Sequence, residues 1–410
     1  MNVLVAAGNF LPEPNVIAEM TYDIACALGE NNNVTVLAPY PSRPAGYDFS
    51  KSSVIDGPFN LIRLDSYIYT ASNVIGRSKE SFSVGKAVAK YIKEHKDEID
   101  VIYAVVNPFF AEYIIAKTAK TYKLPVVMHI QDVFPEPIIR RVPFFGKQVF
   151  KCALPVDKYI LRNSTKVIST GEHIKHYIAQ TRNIDENKFI VVYNWQDESR
   201  FDKSINSERR KDIFTYMFLG NLAPAANLHY ILKCFAEAHM DNARLIFAGA
   251  GNLKEPLIEH AKQYPDAKIE FCNAPTSRVY EIQSQADVLL LPLRKGVALR
   301  CFPSKFPAYL FSKRPVLACV EHESDVADCI KQAKCGWIVK PDDSEALINL
   351  FKTLPHKSRE ELNKMGKSGY EYSQKHLTRE INLKKIVSII LDAAKKNTNE
   401  YLDIRHRRLV

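Results

Sequence analysis

The chain has 410 residues, 46% of them hydrophobic and 25% charged, a balance that suits a folded globular protein of two or three domains and excludes a disordered one. Eight cysteines are scattered without a Cys-x-x-Cys pair, which excludes a zinc-ribbon framework and fits a reducing compartment. No apolar run reaches the roughly 18–20 residues that span a bilayer. The opening Met1-Asn2-Val3-Leu4-Val5-Ala6-Ala7-Gly8 reads as a strand and not as a secretory leader.

In chain order, Val3 to Ala7 reads as a buried strand, Val16 to Gly29 as a helix, and Val34 to Ala38 as a second strand. Val101 to Val106, Val126 to Ile130, Lys166 to Ser169 and Phe189 to Val192 continue the series. Short apolar strands alternating with helices predict a doubly wound parallel sheet, covered on both faces. From Gln196 to Asp212 the chain turns polar, as a linker or domain edge does. The pattern then restarts, with strands at Phe214 to Leu219, Arg244 to Ala248, Lys268 to Phe271, Val288 to Leu291 and Val316 to Ala318. Helices follow to about Ala394. Both halves open on a strand ending in Gly-Asn, at Gly8-Asn9 and Gly220-Asn221. The expectation is two Rossmann-like α/β domains facing a cleft, over residues 1–200 and 201–375, with a helix over 379–394 returning to the first. Ligands of such sheets bind beyond the carboxyl ends of strands.

The net charge is +10, and the stretch Glu136 to Lys166 holds seven basic and two acidic residues, half of that excess. Arg140, Arg141 and Lys147 are interleaved there with Phe144, Phe145, Phe150 and Tyr159. Such a stretch suits a solvated helix face, an anionic membrane surface or a nucleic acid; no nucleic-acid motif accompanies it. Arg405-His406-Arg407-Arg408 reads as a solvated tail.

Three constellations lie where strands end. Gly296-Val297-Ala298-Leu299-Arg300 leads to Pro303-Ser304-Lys305, a small-residue turn and a helix start whose amide groups and lysine suit an anion. Met128-His129-Ile130-Gln131-Asp132 runs on to Glu136; a histidine and carboxylates there suit a polar site, although His129 could equally belong to the core and Asp132 could cap a turn. Gly8 permits close backbone approach, and Asn15 is placed to cap the helix after it. No Gly-x-Gly-x-x-Gly occurs, which leaves a nicotinamide dinucleotide site without support.

The order of Phe-Leu-Gly-Asn-Leu (218–222), Leu-Ile-Phe-Ala-Gly-Ala-Gly (245–251), Gln-Ala-Asp-Val-Leu-Leu-Leu-Pro (285–292) and Pro-Ser-Lys…Tyr-Leu…Pro-Val-Leu-Ala (303–318) resembles the nucleotide-sugar-binding domain of family-four GT-B glycosyltransferases. Val-Val-Tyr-Asn-Trp (191–195) is similar to the family's Pro-Asn-Gly stretch at the domain boundary, and the resemblance runs over roughly residues 1 to 394. It is closest to bacterial enzymes that add amino- or deoxy-sugars, such as N-acetyl-fucosamine, in O-antigen, capsule or colanic-acid assembly. It implies metal-free transfer with retention from a nucleotide sugar, most simply UDP-linked, with no further cofactor. The implied acceptor is a lipid-linked sugar or an oligosaccharide, met in the cytoplasm at the inner membrane surface.

The donor residues expected on this reading are Gly8, Asn9, Gly220, Asn221, Gly249, Gly251, Val297, Ala298, Leu299, Arg300, Ser304 and Lys305. His129 and Asp132 take the catalytic place, and Asn15, Glu136, Arg140, Arg141 and Lys147 the acceptor and membrane side. The chain also departs from the family. Where the family has two glutamates, one for the ribose, this chain has Arg300 and Ala308; where it has Gly-Arg…Lys-Gly, this chain has Asn221 and Ala226-Asn227. Arg300 and Lys305 are expected to replace the missing phosphate cations. A sugar-nucleotide 2-epimerase and a silent nucleotide-sugar-binding protein share the architecture and stand as alternatives.

Overall fold

The computed structural model describes residues 1–43, 47–49, 55–70, 73–106, 109–142, 144–202, 212–275 and 278–407. The side chains of Arg140, Arg141 and Arg405–Arg407, and all of Arg408, lie outside the described residues, as does 203–211 of the expected linker. The chain forms two compact units, Met1–Val192 with Asn382–Val410, and Tyr193–Ile381.

The first unit is built on seven strands: β1 (Asn2–Ala7), β2 (Asn33–Pro39), β3 (Asn60–Leu64), β4 (Val101–Val105), β5 (Val126–Ile130), β6 (Lys166–Ser169) and β7 (Phe189–Val191). They pair in the order β3-β2-β1-β4-β5-β6-β7, every neighbour parallel. The central strands β4 and β5 are buried along their whole length, as apolar runs in a sheet covered on both sides must be. Alternate residues face one way: Leu4, Ala6, Ile102, Ala104 and Met128 share one core with Val84 and Val88 of helix Val74–Glu94 and Ile115 and Ala119 of helix Phe110–Tyr122. The helix Val16–Gly29 starts on Asn15, whose side chain accepts from the Ala18 amide at 2.9 Å.

The second unit holds β8 (Phe214–Leu219), β9 (Ala243–Ala248), β10 (Ile269–Cys272), β11 (Val288–Pro292), β12 (Val316–Cys319) and β13 (Gly336–Val339). Their order is β10-β9-β8-β11-β12-β13, again wholly parallel. The period-two alternation divides its core in two. Met217, Ile246, Leu289 and Ala318 face Phe306, Leu310 and Val326 on one side; Tyr216, Phe247, Leu290 and Leu317 face Ile231, Leu232 and Phe351 on the other. The two-domain Rossmann-like α/β class expected from the sequence is the fold observed.

Two strands escape the apolar-run reading, β3 and β13, and both are edge strands. Only the last residue of each is buried. In β3, Arg63 donates to the carbonyl of Pro39 at 2.9 Å and to that of Leu11, so a charged residue sits inside a strand and breaks the pattern. The last helix is longer than the reading placed it, Arg379–Arg407, and its residues from Asn382 cluster with the first unit.

Candidate active site

In the second unit, parallel pairing brings the loops after β8, β9, β11 and β12 to one sheet edge. Gly220, Gly249 and Gly251 follow β8 and β9 with φ of +144°, +138° and +151°, which side-chain-bearing residues rarely adopt. A Cβ on Gly249 would lie 2.1 Å from the Gly220 carbonyl oxygen, and one on Gly251 2.4 Å from that of Leu222. The two loops therefore run in backbone contact, joined by Gly220 N–H to Ala248 at 3.0 Å and Leu222 N–H to Ala250 at 2.8 Å.

Lys305 opens the helix Lys305–Phe311. Its Nζ lies 4.1 Å from the centre of the Phe218 ring, within cation–π range, and 3.0 Å from where a Gly220 Cβ would stand. Burial lowers its pKa to about 8. The helix is locked to the end of β8 by Tyr309, fully buried, whose hydroxyl donates to the Leu219 carbonyl at 2.9 Å and accepts from its amide at 3.1 Å. Ser304 turns its carbonyl to Gln196, 3.0 Å away.

The loop after β11 folds on itself, with Arg300 N–H donating to Val297 at 3.0 Å. Val297, Leu299 and Arg300 are half-buried. Ala298 is fully buried in the core, so it offers this edge no side chain. Glu321, just beyond β12, accepts from the Gly296 amide through Oε1.

In the first unit, His129 is 3% exposed. Its Nδ1 lies 2.7 Å from the Tyr103 hydroxyl and its Nε2 3.0 Å from the Gln131 amide nitrogen. Burial lowers its pKa to about 3, so the ring is neutral throughout the physiological range and works as a hydrogen-bonding group, not as an imidazolium. Asp132 is exposed beside it. Asn9 and Asn15 both donate to Glu13 Oε2, at 2.6 and 3.4 Å, while Glu13 Oε1 accepts from the Ser42 and Arg43 amides at 2.8 and 3.1 Å. One buried carboxylate thus shapes the loops after β1 and β2. Gly8 continues the pairing, its amide donating to Val105 at 2.8 Å.

Residues 17–200 match the family described as Glycosyltransferase Family 4, and residues 198–372 match Glycosyl transferases group 1. Together the two matches run from residue 17 to residue 372. An uncharacterized glycosyltransferase of Methanocaldococcus jannaschii is 22% identical over 181 residues, which span 39% of this chain and 45% of that relative. Among solved structures, Anabaena HepE in complex with UDP-glucose matches at a TM-score of 0.67 and 14% identity, over 96% of this chain and all of that one. WaaG, a glycosyltransferase involved in lipopolysaccharide biosynthesis, matches at 0.68 and 13%, over 95% and 99%. These likenesses establish the fold as GT-B.

The two units place the expected residues unevenly. Gly220, Asn221, Gly249, Gly251, Ser304 and Lys305 gather at one edge of the second sheet. Glu136, expected on the acceptor side, is 5% exposed and lies in a buried ion-pair network. Arg182 grips both its oxygens, Nη1 to Oε1 at 2.6 Å and Nη2 to Oε2 at 2.8 Å, and reaches Asp157 at 2.7 Å and the Phe134 carbonyl at 3.0 Å. Tyr177 donates to Glu136 at 2.9 Å. Burial alone would raise the Glu136 pKa, but the bonds and charge of Arg182 outweigh it and hold the carboxylate ionised. This network fixes the loop after His129 and Gln131. Lys147 is exposed on helix Gly146–Asn163. Among the described residues no group of three or more His, Cys, Asp or Glu could hold a metal ion. Sequence reading missed Glu13, Arg182, Tyr309 and Glu321, because each acts on a partner distant in the chain.

Asp157 within this network and Glu112 beside it are buried, which pushes their pKa values up to about 6 and about 7. A folded-state pKa above the unfolded one means the fold holds a proton that the open chain releases, so stability falls as pH rises through that window. Glu112→Gln keeps the acceptor for the Phe109 amide and removes the titration. The variant should gain stability over the parent between pH 5 and pH 8, measured by urea midpoints; parallel pH profiles would contradict this.

Proposed function

We propose that this chain transfers a hexose, amino- or deoxy-substituted, from a UDP-linked donor to a lipid-linked or oligosaccharide acceptor. In this reading transfer retains anomeric configuration, needs no metal, and serves bacterial surface-polysaccharide assembly. The observation that carries the reading is the Lys305 ammonium held against Gly220 and over Phe218.

Breaking the bond from the anomeric carbon to the diphosphate leaves growing negative charge on phosphate oxygen. A cation fixed before the reaction opposes that charge without reorganisation. With its pKa at about 8, Lys305 is largely protonated at neutral pH. A diphosphate in place of the aromatic face gives the half-buried ammonium a better partner. Arg300, half-buried and without a side-chain partner among the described residues, supplies the second cation. Gly220, Asn221, Gly249 and Gly251 let backbone amides approach the nucleotide. The UDP-glucose complex of HepE supports uridine as the base, and the stated role of WaaG supports a surface polysaccharide.

The first unit binds the acceptor. There the neutral His129 hydrogen-bonds the acceptor hydroxyl, Asp132 lies exposed beside it, and Asn15 is held by Glu13. Phe144 and Phe145, 96% and 65% exposed, with Ile139 and Val149 also exposed, stand beside Lys147 and support docking at an anionic lipid surface. No helix among the described residues is long and apolar enough to cross a membrane.

Two results follow. Lys305→Ala should weaken UDP binding about 10- to 100-fold in calorimetry, the range of a charge-assisted hydrogen bond; unchanged affinity would remove Lys305 from the phosphate site. A Phe144→Ser/Phe145→Ser/Lys147→Glu variant should lose most co-sedimentation with anionic vesicles and keep its UDP affinity, while undiminished sedimentation would refute membrane docking through this surface.

A further inference from the structure

A nucleotide sugar makes two demands on its site. Its diphosphate needs cations and N–H donors, and its hydroxyls need acceptors. Lys305, Arg300 and the glycine loops answer the first. For the second, Arg300 carries only donors, and Ala308 has no polar side-chain atom and is buried beside Phe201 and Phe311.

One carboxylate at this edge has bonding capacity to spare. β11 and β12 pair in parallel from Leu289↔Val316 to Pro292↔Cys319, and Leu293 N–H continues the ladder to the Cys319 carbonyl at 3.0 Å. The loops that leave these strands therefore start side by side. Glu321 lies in the second and accepts through Oε1 from Gly296, the residue that opens the Gly296–Arg300 stretch. Its own carbonyl accepts from the Ser324 hydroxyl at 2.6 Å, at the cap of helix Asp325–Ala333. Glu321 is thus pinned at backbone and side chain alike.

Its other oxygen, Oε2, is buried and has no hydrogen-bond partner among the described residues. Neighbouring Lys295 bonds to Asp342, 2.6 Å away, and interacts with Glu321 through charge alone. A buried acceptor left without a hydrogen bond is costly. A loop rigid enough to hold it in that state is organised for a donor that arrives from outside.

We infer that Glu321 is the hydroxyl-binding carboxylate of the donor site, accepting from a sugar hydroxyl of the nucleotide sugar. This rests on the donor reading above. The shared chemistry is a carbohydrate O–H, and its source is either the ribose or the transferred hexose.

The test uses the full chain and Glu321→Gln, which keeps an oxygen for Gly296 and removes the charge. Calorimetry is run with UDP, 2′,3′-dideoxy-UDP and UDP-glucose. If the ribose is bound, E321Q loses tenfold or more for UDP and little for the dideoxy analogue, so the ratio between them collapses. If the hexose is bound, UDP is unaffected and UDP-glucose falls tenfold or more. These ratios do not depend on the fraction of protein that is folded, so a destabilised variant still reports. A parent that binds UDP and UDP-glucose, with E321Q matching it within twofold on all three ligands, overturns the inference alone. A parent that binds none of them overturns the donor reading and this inference with it.

Discussion

The Lys305 ammonium resting against the Gly220 backbone and over the Phe218 ring is the contact on which the functional reading depends. It exists because a parallel sheet ends β8 where the helix Lys305–Phe311 begins, and because Tyr309 ties that helix to Leu219. A side chain at Gly220 would crowd the ammonium, and one at Gly249 would strike the Gly220 carbonyl. The three glycines and the lysine therefore form one constraint. Partly burying a cation carries an energetic cost, visible in its pKa of about 8, and the proposed reading has an anionic ligand relieve it.

The first unit shows a different use of charge. Arg182 joins Glu136, Asp157 and the Phe134 carbonyl, so the segment following His129 is held by polar bonds as well as by the packing of Ile130 and Val133 in the core. His129 itself is neutral and bonded at both ring nitrogens. Charged groups buried in such a network fix geometry more than they add stability, and here the geometry fixed is that of a polar strand end. The exposed pair Phe144 and Phe145 belongs to the neighbouring segment of the same unit.

The parts of this molecule that obey local rules were legible in the sequence. Apolar runs marked every interior strand, and Asn15 announced the helix it caps. Gly220, Gly249 and Gly251 followed their strands to the carboxyl edge of the second sheet, where the structure places them. Strands β3 and β13 were hidden because an edge strand buries only part of its surface, and Arg63 in β3 bonds backbone carbonyls where an apolar residue would be read. The bond from Arg182 to Glu136 could not be read in the sequence because the two lie 46 positions apart. Glu321 looked like one acid in an ordinary loop, since neither Gly296 nor the unpaired oxygen can be read from its neighbours.

The position of a bound diphosphate is the most direct measure of the account. In a crystal of the full chain grown with UDP, the phosphates should lie between the Gly220 loop and the Lys305 ammonium, with the ammonium drawn off the Phe218 ring. Phosphates ordered at any other part of the chain, with Lys305 still on Phe218, would contradict it.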